Sequence, residues 1–154
     1  MSSIINNFVE VCIFKFEYDK PWYLLLHRAK NERVYPNIWQ FVSGAVDENE
    51  KATDAAFREL LEETRFEPKA FWVVPYVNSF YDPAHDYINL SPMFAAQVEP
   101  GSVPQLSHEH DEYQWCTFDE ALGKLLWHGQ REGLRIVHQY IVRGEEAAKY
   151  VRIR

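Results

Sequence analysis

The chain has 154 residues, of which 47% are hydrophobic and 25% charged. That is the size and balance of one folded domain, and it excludes wholesale disorder. Sixteen Lys and Arg against 23 Asp and Glu leave a formal charge of −7, which argues against a nucleic-acid polymer held by a phosphate-neutralising surface. The two cysteines, Cys12 and Cys116, supply neither a disulfide framework nor a CxxC metal pattern and fit a reduced compartment.

Met1 to Phe8 carries no Lys or Arg, and the first basic residue is Lys15, unlike a cleaved secretory signal. The uncharged stretch Ala70–Tyr81 runs 12 residues, contains Pro75 and is too short to cross a bilayer. A cytoplasmic location without a membrane partner is therefore expected. No linker, repeat or low-complexity run interrupts the chain, so residues 1–154 are predicted to form a single domain.

In chain order, Phe8–Phe16 alternates like a strand and Trp22–His27 is a short apolar run suited to a buried one. Asn31–Asn37 reads as a loop and Trp39–Val46 as extended. Lys51–Thr64, rich in Ala, Leu, Glu and Arg, is the clearest helix, and Pro68 ensures that it has ended. Phe71–Tyr81 and Tyr87–Val98 predict a hairpin about the Asp82–Asp86 turn, with Pro75 and Pro92 marking edges or bulges. An acidic, His-bearing loop, Glu99–Glu112, precedes a last strand, Tyr113–Phe118. Helices at Asp119–Leu126, entered through Thr117, and at Gln130–Val142, stopped near Gly144, complete the reading. Strands and helices without a βαβα rhythm predict an α+β fold.

The chemistry concentrates on the first helix. With Glu59 set at 0° on a helical wheel, Glu62 falls near −60° and Glu63 near +40°, an arc of about 100°. The same arc carries Ala52, Ala55 and Ala56, while Phe57, Leu60 and Leu61 lie opposite. Arg58 can relieve Glu62 at i,i+4, but nothing nearby on the helix neutralises Glu59 and Glu63. Read alone, this arc fits either a solvated acidic face or a seat for a hard divalent cation such as Mg²⁺, with phosphate completing the shell.

The wider spacing is more specific. Gly44, five residues, Glu50, seven residues, Arg58-Glu59, an aliphatic, any residue and Glu62-Glu63 resembles, without a gap, the Nudix box of MutT-like hydrolases. The resemblance implies a mixed β-sheet between helices and Mg²⁺- or Mn²⁺-dependent hydrolysis of a small phosphorylated substrate. It further implies that Glu59, Glu62 and Glu63 bind metal, one of them serving as base, with the Gly44 carbonyl as an added ligand. Glu50 and Arg58 would orient the cluster, Arg58 through its rigid fork of donors. One position departs: Arg65 stands where the family usually has Gly, which predicts a different helix exit with Arg65 near the negative C-terminal end.

Members of the family often recruit one more carboxylate. Glu109 is the choice here and Glu112 the second, in a stretch resembling Glu-His-x-x-Tyr-x-Trp. His108 and His110 lack a third soft ligand for zinc. Trp39-Gln-Phe-Val-Ser-Gly44, Arg28 and Trp127-His-Gly-Gln-Arg131 resemble the branch acting on dihydroneopterin triphosphate and deoxynucleoside triphosphates. Arg28 would pair with phosphate, Ser43 would hydrogen-bond the ligand, and Trp39, Phe80 or Trp127 would stack on a ring, although Trp39 and Trp127 equally suit a core. The expected function is cleavage of a phosphoanhydride in a nucleoside or pterin triphosphate by a monomer or homodimer. ADP-ribose or nucleotide-sugar hydrolysis is the alternative, and a non-catalytic ligand sensor is the alternative of another class.

Overall fold

A computed structural model describes the chain from Met1 to Arg154. Eight strands form one mixed sheet: β1 (Ser3–Ile5), β2 (Phe8–Glu17), β3 (Lys20–Arg28), β4 (Trp39–Gln40), β5 (Val42–Ala45), β6 (Ala70–Asp82), β7 (Tyr87–Gln97) and β8 (His110–Cys116). The helices are α1 (Ala52–Thr64), α2 (Phe118–Lys124), α3 (His128–Ile136), which runs on as a wider π-type turn through Val142, and α4 (Ala148–Val151). The α+β architecture expected from the sequence is present, with α1 on one face of the sheet and the C-terminal helices on the other.

Alternation along β2 builds both layers of core. Val9, Val11 and Ile13 point to the α1 side, where they meet Ala55, Ala56 and Leu60. Cys12 and Phe14 point the other way, toward Leu134, Val137 and Ile141. Pairing partners then change along the strand. Ile13–Glu17 pairs antiparallel with β3, whereas Phe8–Val11 pairs with β5. The far half of β3 pairs with β4 through Leu26 and His27. So β2 and β3 diverge, and Trp39–Ala45 fills the fork between them. β7 runs parallel to β2 along its other edge, and the register shift between Val73 and Val77 brackets Pro75, the bulge its sequence predicts.

β1 and α4 were not expected from the sequence, β8 begins at His110 inside the predicted Glu99–Glu112 loop, and α3 begins at His128 ahead of Gln130; two further differences concern α1. First, α1 turns its small-residue arc inward. Ala55, Ala56, Glu59, Leu60 and Glu63 are buried, while Leu61 is 45% exposed. Alanines let the helix axis approach the sheet closely, and two carboxylates are carried in with them. Phe57 still finds apolar cover by stacking on Phe71.

Second, the helix exit is left-handed after all: Arg65 has φ 64° and donates its backbone N–H to the Leu61 carbonyl at 2.9 Å. A non-Gly residue there costs roughly 1 kcal/mol. The turn delivers Phe66 into the core at 8% exposure, and burying such a ring returns about 1.5–3 kcal/mol. Burial therefore outweighs strain. Arg65→Gly is expected to raise the melting temperature by about 2–4 °C, the shift for roughly 1 kcal/mol in a chain of this size. Thermal unfolding checks this, and a lowered melting temperature contradicts the strain.

Candidate active site

Gly44 on β5 sits directly beneath Glu59 of α1. A Cβ at position 44 would land on the Glu59 carboxylate, so any larger residue would drive that side chain out of place. Arg58 ties the loop to the helix. Its Nε and one terminal nitrogen each donate to Glu50 at 2.9 Å, that second nitrogen also donates to the Ala45 carbonyl at 2.8 Å, and the other reaches Glu59 at 2.8 Å and Glu62 at 3.4 Å. Glu50 also accepts the Asp47 N–H at 2.9 Å. The Arg58 bonds and then that N–H hold the Glu50 pKa down to about 2, so this brace persists until the pH falls toward that value. Arg58 thus links Glu50 and the Ala45 carbonyl to Glu59 and Glu62.

Glu63 is the opposite case. It is 2% exposed, and neither carboxylate oxygen makes a hydrogen bond of good geometry, although the Glu109 carboxyl group and the Ser43 N–H stand close. Burial, followed by the nearby charge of Glu109, pushes its pKa well above the ordinary carboxylate range. Burial likewise raises Glu59 despite the opposing pull of Arg58, with Glu62 and Glu109 adding repulsion. Glu109 arrives from outside the helix. The Ala29 N–H donates to its carbonyl at 2.9 Å, where the β3–β8 pairing shifts register after His27. Glu63, Glu109 and His110 each place one ligand atom within 4.8 Å of the other two.

The donor set is rich in hard oxygens, concentrates negative charge, and leaves two buried oxygens unanswered. Those properties fit Mg²⁺ or Mn²⁺. Glu62 is exposed on the rim of the cluster. Glu112 is exposed on β8 opposite His27 and stands outside the three-residue group. His110 was not among the expected site residues. Burial lowers its pKa to about 4, one ring nitrogen lies 2.9 Å from the Gln40 amide nitrogen, and the other has no partner. His108 is exposed and takes no part.

The fork between β2 and β3 opens into a cavity of about 620 Å³, within the range of small-ligand sites. Arg28 and Ser43 line it, as do Phe80 and Trp127. Part of the Arg28 guanidinium is already engaged, by the Val34 carbonyl at 2.6 Å and by Glu32 at 3.5 Å. Trp39 is not in the cavity. Its ring packs on His27, centroids 5.0 Å apart, beneath the Lys124 ammonium and against the core, while its neighbour Gln40 faces the opening. Successive strand residues point to opposite faces, and the ligand side falls to the glutamine. Glu10, Asn78 and Gln130, which the sequence reading left unassigned, also line this space.

The NUDIX domain family model matches residues 7–137. The chain belongs to the NUDIX family. It is 32% identical over 119 residues to an octanoyltransferase of Myxococcus xanthus, covering 73% of this chain and 31% of that protein. It is 51% identical over 41 residues to the m7GpppN-mRNA hydrolase NUDT17 of Danio rerio, covering 27% of this chain and 14% of that one. The chain thus spans less than a third of the length of these relatives. Among solved structures it resembles a NUDIX hydrolase of Listeria monocytogenes, with TM-score 0.77, 22% identity and coverage of 90% and 96% of the two chains. It also resembles the C. elegans Ap4A hydrolase, with TM-score 0.73, 22% identity and coverage of 90% and 98%. A third is the E. coli dihydroneopterin triphosphate pyrophosphohydrolase, at TM-score 0.68, 22% identity and coverage of 90% and 99%. These likenesses establish a shared fold. No helix of the chain is long and apolar enough to cross a membrane.

Replacing Glu63 by Gln removes a carboxyl group whose ionisation is opposed by burial and by the neighbouring Glu109 and Glu59. The metal-free protein is expected to gain stability, about 2–4 °C in melting temperature per kcal/mol relieved. Millimolar Mn²⁺ is expected to stabilise the wild type, since a ligand that binds only the folded state raises its stability, and that response should disappear in Glu63→Gln. Paired melting curves with and without Mn²⁺ check both effects. Equal Mn²⁺ responses in the two proteins contradict the assignment.

Proposed function

We propose that this chain is a divalent-metal-dependent pyrophosphohydrolase that cleaves a phosphoanhydride bond in a small triphosphate, carried by a nucleoside or a pterin. The observation behind this reading is Glu63, an unpartnered buried carboxylate grouped with Glu59 and Glu109 beside a cavity large enough for a nucleotide. Evolutionarily neutral surface charge would not be buried this way, since isolated buried carboxylates cost several kcal/mol.

In this reading Glu59, Glu62, Glu63, Glu109 and the Gly44 carbonyl hold Mg²⁺ or Mn²⁺. When bound, the ion supplies charge neutralisation to the phosphates and acidifies a water for attack at phosphorus. The protein does the rest. Arg58 and Glu50 fix the carboxylates in place, one carboxylate of the cluster accepts the proton of the attacking water, and Arg28 and Ser43 position the substrate from the cavity side. Hydrolysis of ADP-ribose or a nucleotide sugar is the competing substrate class, and binding without turnover is the competing class of function.

Purified protein should release phosphate products from at least one member of a panel of nucleoside triphosphates, neopterin triphosphate, ADP-ribose and nucleotide sugars, only when Mg²⁺ or Mn²⁺ is present. Glu62→Gln should lower turnover on the best substrate by at least about a hundredfold, the range for groups that organise a catalytic centre. Glu109→Gln should raise the Mg²⁺ requirement or lower the saturated rate, while Glu112→Gln follows the wild-type curve. Binding of a panel member without turnover favours the sensor. Wild-type kinetics in both Glu62→Gln and Glu109→Gln contradict the site.

A further inference from the structure

Within β2 the stretch Phe8–Phe14 is apolar except for Glu10, which stands between Val9 and Val11. It lies directly across from Ser43 in the β2–β5 register and lines the cavity, yet is only 8% exposed. No cation answers it. Its polar partners are two amides: Gln130 Nε2 donates to one oxygen at 3.0 Å and Asn78 Nδ2 to the other at 3.3 Å. The arrangement is held tightly, because a Cβ at Gly129 would strike the Asn78 amide. α3 therefore starts against Asn78, and Gln130 is the next residue to reach Glu10.

Each carboxylate oxygen accepts one of these bonds and retains a second lone pair. Gln130 Oε1 is buried with no partner at all. The wall of the cavity thus carries several hydrogen-bond acceptors and leaves them unused. A buried acceptor without a donor is costly, and a ligand with adjacent N–H groups removes the cost. Trp127 and Tyr35, with ring centroids 4.9 Å apart and both partly exposed, offer aromatic surface on the same cavity for the face of a flat ring.

Building on the proposal that this cavity receives the ring of a triphosphate, we infer that Glu10, held by Asn78 and Gln130, is the residue that sets substrate specificity. It selects a ring whose N–H stands next to an exocyclic amine, the 2-amino-oxo pyrimidine edge shared by guanine and pterins. Two parallel N–H donors meet the two carboxylate oxygens as a guanidinium does. Adenine sets its amine beside a ring nitrogen lone pair, which repels a carboxylate. Hypoxanthine keeps the ring N–H but lacks the amine, and uracil flanks its N–H with carbonyls. Bidentate recognition of this type discriminates by about ten- to a hundredfold.

The test is equilibrium binding to the full chain by calorimetry in the presence of EDTA, so that neither metal nor hydrolysis enters. The ligands are GMP, IMP, AMP, UMP and neopterin monophosphate. GMP, neopterin monophosphate or both should bind at least about tenfold more tightly than IMP and AMP, and the tighter of the two identifies the source of the ring. Glu10→Gln should bring the GMP-to-IMP ratio to near unity, whereas a purely structural role would weaken all ligands alike. Gln130→Ala, which removes one holder of Glu10, should reduce the same ratio and serves if Glu10→Gln does not fold. Equal binding of GMP, IMP and AMP by the wild type overturns the inference, as does the absence of any binding. A preference that survives Glu10→Gln, or Gln130→Ala in its place, also overturns it. Metal-dependent turnover in the substrate panel is scored separately, so hydrolysis without ring discrimination would sink this inference alone.

Discussion

The structure is organised around a carboxylate that it does not satisfy. Glu63 is buried without a partner, beside Glu59 and Glu109, where an isolated protein would be expected to place a neutral or paired group. Three local choices make this possible. Ala55 and Ala56 let α1 settle close to the sheet, Gly44 leaves room for the Glu59 carboxylate, and Arg58 compensates the outer part of the cluster while leaving its centre unpaired. Favourable packing of α1 offsets the electrostatic cost. In the proposed reading, a cation of charge two or more would turn that cost into affinity.

The fork in the sheet has a matching role. Because β2 and β3 part beyond the Ile13–Leu24 pair, Trp39–Ala45 enters as two short strands instead of one long one. That single segment presents Gln40 and Ser43 to the cavity and Gly44 to α1. The cavity side and the carboxylate side are therefore separated by a single step along β5, from Ser43 to Gly44. On the opposite side, α3 closes the cavity through Gln130, and Glu109 and His110 stand at the entry to β8. Elements distant in sequence converge at the place where the sheet is least regular.

Much of this was legible in the amino-acid order. The identities at Gly44, Glu50, Arg58, Glu59, Glu62 and Glu63 are local, since loop and helix geometry alone set their spacing. Thr117 was readable as a cap for the same reason, and its hydroxyl accepts the Glu120 N–H at 3.2 Å. What failed to show was tertiary. β1, three residues long, exists only through parallel pairing with β7. Period-two alternation says that Trp39 and Gln40 face opposite ways but not which one meets ligand, and the larger ring drew the assignment. Glu10 is legible in the sequence as a lone charge in the run Phe8–Phe14, which is apolar on both faces, and such a charge has to be buried or functional. At Arg65 a propensity worth roughly 1 kcal/mol points away from the left-handed turn, and the burial of Phe66 decides it.

The central claim is that the unanswered carboxylates form a cation site. Anomalous X-ray scattering from a crystal equilibrated with Mn²⁺ tests it most directly, because the signal locates the ion independently of any activity. The account predicts a manganese peak in direct contact with Glu63 and with Glu59 or Glu109. A map in which manganese is absent from Glu63, or found only on exposed carboxylates such as Glu112, would contradict it.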